Sequence, residues 1–142
     1  MKSILTLLLA FSVSLCLAQT DEELVKKTVL NAYVEGIHNG GSIDQIRQGF
    51  HPSFQMFRFA DNEVKTVSIE DWIKGIEKAR AENKAAGPRS EANFTQVSVS
   101  GTSANVVLEL NRDGKRIFTD HLLLYKFAEG WRIVAKTFFR HP

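Results

Sequence analysis

The chain carries one cysteine, Cys16, and it lies in the first eighteen residues. A protein that starts after them has no thiol and no disulfide, which excludes disulfide scaffolds and cysteine chemistry. Only three prolines occur, and no proline-, glycine- or serine-rich tract marks a linker. No basic run breaks a net charge of +2, so nucleic-acid binding has no electrostatic footprint. His38, His51, His121 and His141 have no metal-ligand spacing and HExxH is missing, so no metal is expected. The GxSxG, phosphate-loop and dinucleotide glycine patterns are absent too, and no cofactor is implied.

What is present begins with MKSILTLLLAFSVSLCLAQT. Lys2, an apolar run from Ile4 to about Leu17 and the small Ala18 read as a secretory signal cleaved after Ala18. The run is short and broken by serine, whereas a spanning helix needs roughly 20 apolar residues. Bulky Leu15 precedes Cys16 where a lipoprotein signal has a small residue, which argues against a lipid anchor. The expected organisation is therefore a signal peptide, 1–18, and one domain, 19–142, exported to the periplasm or the medium. A domain of that length buries roughly two thirds of its unfolded surface, enough to hold without cross-links.

Thr20-Asp21-Glu22-Glu23 is a capping box. It opens a helix with Val25, Val29, Ala32, Tyr33, Gly36 and Ile37 at helical spacing, stopped by Asn39-Gly40-Gly41. Ser42 and Gln45 cap a short second helix ending at Gly49, and His51-Pro52 is a break. Residues 54–59 and 63–67 read as a hairpin about Asp61-Asn62. Ser68 with Asp71 starts a third helix, burying Ile69, Trp72, Ile73 and Ile76 and closed by Gly87-Pro88. From Glu91 the period becomes two, giving strands at 91–100, 103–111, 115–127 and 131–139. Helices segregated from an antiparallel sheet make an α+β class: three N-terminal helices packed on a curved sheet.

Two opposite charges, Asp120 and Lys136, stand inside the most apolar strands. A three-residue loop at 128–130 sets Phe127 opposite Trp131, Leu122 opposite Lys136 and Asp120 opposite Phe138. Asp120 and Lys136 are then diagonal neighbours, roughly 7 Å apart. A similar loop at 112–114 sets Val106 opposite Asp120. One sheet face thus reads Ala104, Val106, Leu108, Leu110, Phe118, Asp120, Leu122, Leu124, Val134, Lys136 and Phe138. The opposite face carries Val107, Glu109, Ile117, Thr119, His121, Leu123, Tyr125, Trp131, Ile133 and Thr137, apolar enough to predict a homodimer through the sheet. A two-residue turn at either hairpin would shift the register. Burying two charges costs several kcal/mol per ion, recovered only with good geometry. A purely structural pair competes with polar groups at the floor of a pocket, and that cost tilts the reading toward a pocket.

LNAYVEGIHNG (30–40), IRQGFHPSFQM (46–56) and FTDHLLLYKFAEGWRIVAKTF (118–138) together resemble the lumazine-binding branch of the NTF2-like superfamily, which includes nuclear transport factor 2, ketosteroid isomerase and the SnoaL-like polyketide cyclases. That resemblance implies a curved sheet wrapped around helices, a conical cavity and dimerisation through the sheet. It names Tyr33, His51, Met56, Trp72, Asp120 and Lys136 as ligand-binding candidates, with His51 and Asp120 as the groups that could move protons. Three readings follow: binding of an unidentified small molecule; an isomerase, dehydratase or cyclase using His51 or Asp120; or a dimeric interaction module with a vestigial cavity. A cavity below roughly 300 Å³ would disfavour the first two. Lys136 beside Asp120 favours an ionised, accepting carboxylate over an acid catalyst. By strand alternation His121 faces away from Asp120. His38, at a helix end, reads as solvated.

Overall fold

The computed structural model describes residues 19–82 and 87–142; the leader-like stretch lies outside them. Helix α1 (Asp21–Thr28) opens on the expected capping box: the Thr20 hydroxyl accepts from the Glu23 N–H at 3.2 Å, and the Glu23 carboxylate accepts from the Thr20 N–H at 2.8 Å. It continues without interruption as a π-helix, Val29–His38. Helix α2 (Ile43–Gly49) is capped by Ser42, and α3 (Ile69–Ala81) by Ser68, each hydroxyl accepting at 3.1 Å. Glycine is required where α2 meets the π-helix. A Cβ on Gly49 would lie 2.1 Å from the Ala32 Cβ, and one on Gly36 would lie 2.9 Å from Ile46 Cγ1.

Strands β1 (Phe50–Ala60), β2 (Glu63–Ser68), β3 (Ser90–Ser100), β4 (Ser103–Arg112), β5 (Lys115–Phe127) and β6 (Gly130–Arg140) form one sheet in the order β2-β1-β6-β5-β4-β3. Two expectations are corrected. The helices are not all N-terminal to the sheet, because α3 follows the first hairpin. Nor is the sheet wholly antiparallel: β1 runs parallel to β6. Strand β1 also begins at Phe50. Proline cannot donate to a ladder, and Pro52 sits within the irregular pairing between Phe50 and Gln55. Helix α3 ends at Ala81, short of Gly87-Pro88.

Both expected three-residue loops are two-residue turns. Asp113 and Gly114, at φ 48° and 71°, turn between Arg112 and Lys115, and Ala128-Glu129 turns between Phe127 and Gly130. Positive φ at both Asp113 and Gly114 is what a type I′ hairpin needs, whereas at the second turn it is Gly130, at φ 115°, that takes the positive value the sequence suggested. Each hairpin then takes up an unpaired residue as a bulge, Ile117 in β5 and Val134 in β6. On β6 the bulge restores the expected pairs Leu122–Lys136 and Asp120–Phe138. On β4 the register moves by two residues, so Asp120 faces Leu108, not Val106. A shift of two keeps every side chain on its face. The bulge does move two residues: Trp131 and Ile133, expected outside, are buried at 4% and 0% exposure. Irregular pairings in the β1–β6, β3–β4, β4–β5 and β5–β6 ladders bend the strands, since each adds local twist. The concave face holds Val106, Leu108, Leu110, Leu122, Leu124 and Ile133 against Val25, Val29, Ala32, Tyr33 and Ile73 of the helices.

Candidate ligand site around Asp120

Strand alternation sends Asp120 into the concave face, where it is 0% exposed. Tyr33, from the π-helix, donates its hydroxyl to Asp120 Oδ2 at 2.7 Å. The Lys136 ammonium, from the neighbouring strand, lies 2.7 Å from Oδ1. That contact is close enough for an ion pair, yet Oδ1 lacks a partner in hydrogen-bond geometry. The ammonium at 2.7 Å is nonetheless the partner of Oδ1, so both carboxylate oxygens are engaged. Four rings surround the ammonium: Phe138 at 4.3 Å, Tyr33 at 4.9 Å, Trp72 at 5.6 Å and Phe118 at 5.7 Å from their centroids. Cation–π attraction strengthens when the cation is desolvated, so this box compensates part of the water that Lys136 has lost.

Burial drives the titration of the cluster. It lifts the Tyr33 hydroxyl well above its usual 10.0, with the Asp120 charge adding to the effect. It pulls Lys136 below 10.5 despite the opposing attraction of Asp120. His38 is held down at about 3, first by burial and then by the Lys136 and Arg112 charges.

Of the six expected lining residues, five come together. Tyr33, Asp120 and Lys136 touch; Trp72 lies edge-on to Tyr33, with centroids 6.3 Å apart; and buried Met56 is the register partner of Lys136 on β1. His51 is the exception. It stacks on Phe127 at 4.5 Å and bonds Ser53 at 2.7 Å. Phe127 ends β5, roughly 20 Å from Asp120 at about 3.3 Å per residue. His51 therefore belongs to the start of β1, as its place beside Pro52 allows.

The reading of His38 as solvated is also corrected. Its ring is half-buried, edge-on to Tyr33 at 4.7 Å and tilted against Phe118 at 6.3 Å. Hydrogen bonds from residue i+5 to i replace the α pattern in a π-helix, and this carries His38 onto the face of Tyr33. Phe118 and Phe138, at 5.6 Å from each other, are further missed wall residues; their place on the Asp120 face was the available signal. His121 is exposed on the convex face.

Two cavities lie elsewhere. One of about 700 Å³ runs between α1, α2 and the β5–β6 turn, beside Lys27, Gln48 and Arg132. The other, about 390 Å³, is a hollow in the convex sheet face beside Phe57, His121 and Leu123. Asp120 and Lys136 are buried, with the half-buried rings of Trp72, Phe118 and Phe138 around them. Among the described residues no cluster of three or more His, Cys, Asp or Glu side chains could hold a metal, and no helix is long and apolar enough to cross a membrane.

The family described as "Putative lumazine-binding" matches residues 20–139. The chain belongs to this family. Among curated proteins, this family member is similar to "Aldolase FrzH" of Cladobotryum sp., 27% identical over 111 residues, which cover 78% of this chain and 84% of that one. Among solved structures it resembles an NTF2-like protein of unknown function from Shewanella baltica OS155, with TM-score 0.64 and 22% identity over 84% of this chain and 92% of the other. A second, from Silicibacter pomeroyi DSS-3, has TM-score 0.65 and 22% identity over 82% and 93%. At such identities the structures establish the NTF2-like fold alone, and with it the α+β class of a six-stranded curved sheet and packed helices.

Proposed function

We propose that this lumazine-binding family member binds a small organic molecule at the Asp120 cluster. One observation carries the reading: a fully buried carboxylate held by a phenol and an ammonium inside an aromatic box, at a cost that apolar residues would avoid. A ligand enters by displacing the half-buried rings of Trp72, Phe118 and Phe138, then stacks on them. Asp120, Lys136 and Tyr33 set its orientation, as a few polar groups do in mostly apolar sites. Native mass spectrometry of protein purified from its own host is expected to show a co-purifying molecule, lost in Asp120→Asn. Preparations that are always free of ligand, with no response to flat aromatic probes, would sink the reading.

Burial itself favours a second reading, an interaction module whose cavity has closed, because Asp120 is fully buried and Lys136 nearly so. The aldolase-named relative favours proton transfer on a bound carbonyl compound, with Asp120 as acceptor. In that case Asp120→Asn would abolish turnover and spare affinity. A homodimer through the convex face accounts for Phe57, Phe59, Leu123, Tyr125 and Phe139, exposed at 37 to 74%. Export follows from the leader, and a mature chain starting at Gln19 in the periplasmic fraction or the medium is the result expected.

A further inference from the structure

The cavity of about 700 Å³ between α1, α2 and the β5–β6 turn shares no residue with the Asp120 cluster, and its size is that of a site for a small organic molecule. Part of its wall is apolar. Ala32 is buried, Leu24 packs against the core, and Trp131 is only 4% exposed. The indole of Trp131 is fixed by its Nε1–H, which donates to Asp21 Oδ1 at 3.1 Å.

The rest of the lining carries charge that the fold has not neutralised. Lys126 is paired: its ammonium lies 2.7 Å from Asp21 Oδ1, and the bonds from Lys126 and Trp131 hold the Asp21 carboxyl below its usual value. Lys27 and Arg132 have no carboxylate partner among the described residues. Arg132 is half-buried, and its Nη1 donates to the Arg47 carbonyl at 2.9 Å. That bond anchors the guanidinium and uses one of its five N–H groups, leaving a planar fork of the kind that matches a carboxylate. Glu129 is the acid among the lining residues. Two unpaired cations against one carboxylate leave an excess of one positive charge beside an apolar wall.

We propose that this cavity is a second binding site, for a small organic carboxylate whose acid group pairs with Arg132 and Lys27 and whose apolar body lies against Leu24, Ala32 and Trp131. The inference is independent of the Asp120 cluster. A monoanion matches the excess charge of the lining. An organic cation faces Lys27, Lys126 and Arg132, and a neutral molecule leaves the half-buried guanidinium without a counter-ion. A small hydrated anion such as acetate or inorganic phosphate satisfies the charge but makes no use of the apolar wall.

Proton–nitrogen NMR of the labelled protein tests it, because the two tryptophan indole N–H groups report the two places separately: Trp131 lines this cavity and Trp72 lies beside the Asp120 cluster. The probes are octanoate, which has acid and body; 1-octanol, which has the body alone; and acetate, which has the acid alone. Octanoate is expected to shift the Trp131 indole and the Gly49 and Gly130 amides along one saturable curve, at least tenfold more tightly than either of the others, and to leave the Trp72 indole in place. Arg132→Gln should weaken octanoate about tenfold, the worth of one charge-assisted hydrogen bond. Glu129→Gln, on the exposed turn, should tighten it about two- to threefold by removing a like charge, a gain that added salt erases. Octanol binding as tightly as octanoate, or an unchanged affinity in both variants, overturns the role of charge and with it the proposal. No shift at Trp131 overturns the site, and a shift confined to Trp72 does so while supporting the Asp120 cluster as the place where small molecules bind.

Discussion

The ion pair makes the sharpest test of why this core carries charge. Lys136→Met removes the ammonium and keeps the volume, leaving the Asp120 carboxylate at 0% exposure with only the Tyr33 hydroxyl beside it. Breaking a buried pair from one side costs about 3–5 kcal/mol. With a urea slope of about 2 kcal/mol/M, the unfolding midpoint should fall by about 1.5–2.5 M. Adding Asp120→Asn removes the stranded charge and keeps an acceptor for Tyr33. The double variant should therefore return to within about 1 kcal/mol of the wild type, or exceed it. Urea unfolding at neutral pH, followed through Trp72 and Trp131, measures all the species. A single variant as stable as the wild type would show that water reaches the carboxylate. A double variant as weak as the single would show that the pair is structural, and the argument for a ligand would lose its physical basis.

The same variants carry a pH signature. Burial sets the folded pKa of Lys136 below its unfolded value of 10.5. Between the two, the unfolded chain binds more protons, so this residue makes stability rise as pH climbs toward 10.5. Tyr33 acts with the opposite sign: its raised folded value means stability is lost as pH passes above 10.0. Variants lacking Lys136 should lose the first trend and keep the second.

The remaining predictions concern three other places. His38, at about 3 in the fold against 6.5 unfolded, should make stability fall as pH drops from 6.5 toward 3, by at most roughly 4–5 kcal/mol; acid titration of His38→Phe should be flatter by that amount, and parallel curves would refute the burial of its ring. Gly49→Ala forces two methyl carbons toward 2.1 Å, so a loss of about 1–3 kcal/mol in urea is expected; no loss would mean that α2 slides freely on the π-helix. Leu123→Lys with Tyr125→Lys places charge on residues 50% and 51% exposed, and light scattering is expected to report a dimer for the wild type and a monomer for this variant; a monomeric wild type would dispose of the interface.

Much of the fold was legible because local chemistry and global pattern agree. Thr20, Ser42 and Ser68 each announce a helix start by a hydroxyl that can reach an orphan N–H, and all three do. The hairpin registers were harder. Asp113-Gly114 is a strong signal for a two-residue turn, yet a two-residue turn alone would have thrown Asp120 and Leu110 onto opposite faces. Ile117 and Val134 absorb the difference as bulges, and no residue type advertises a bulge. The parallel β1–β6 pair left no local trace either, since it depends on where a distant strand ends up.

The candidate site shows the same division with more at stake. Asp120 and Lys136 were visible because charges in an apolar strand violate its pattern. His38 was hidden because helical spacing was counted with an α period. Five residues after Tyr33, an α-helix turns its side chain away by more than a quarter turn, toward water; a π-helix returns it to the same face, edge-on at 4.7 Å. π-Helical segments are rare and concentrate at functional sites, because the weaker bonding must be offset by something local. Here the local return is a second polar side chain delivered to the Asp120 cluster and locked there by Asn39, Ser90 and Arg112. An ordinary α-helix would keep Tyr33 and Asp120 bonded but leave His38 outside.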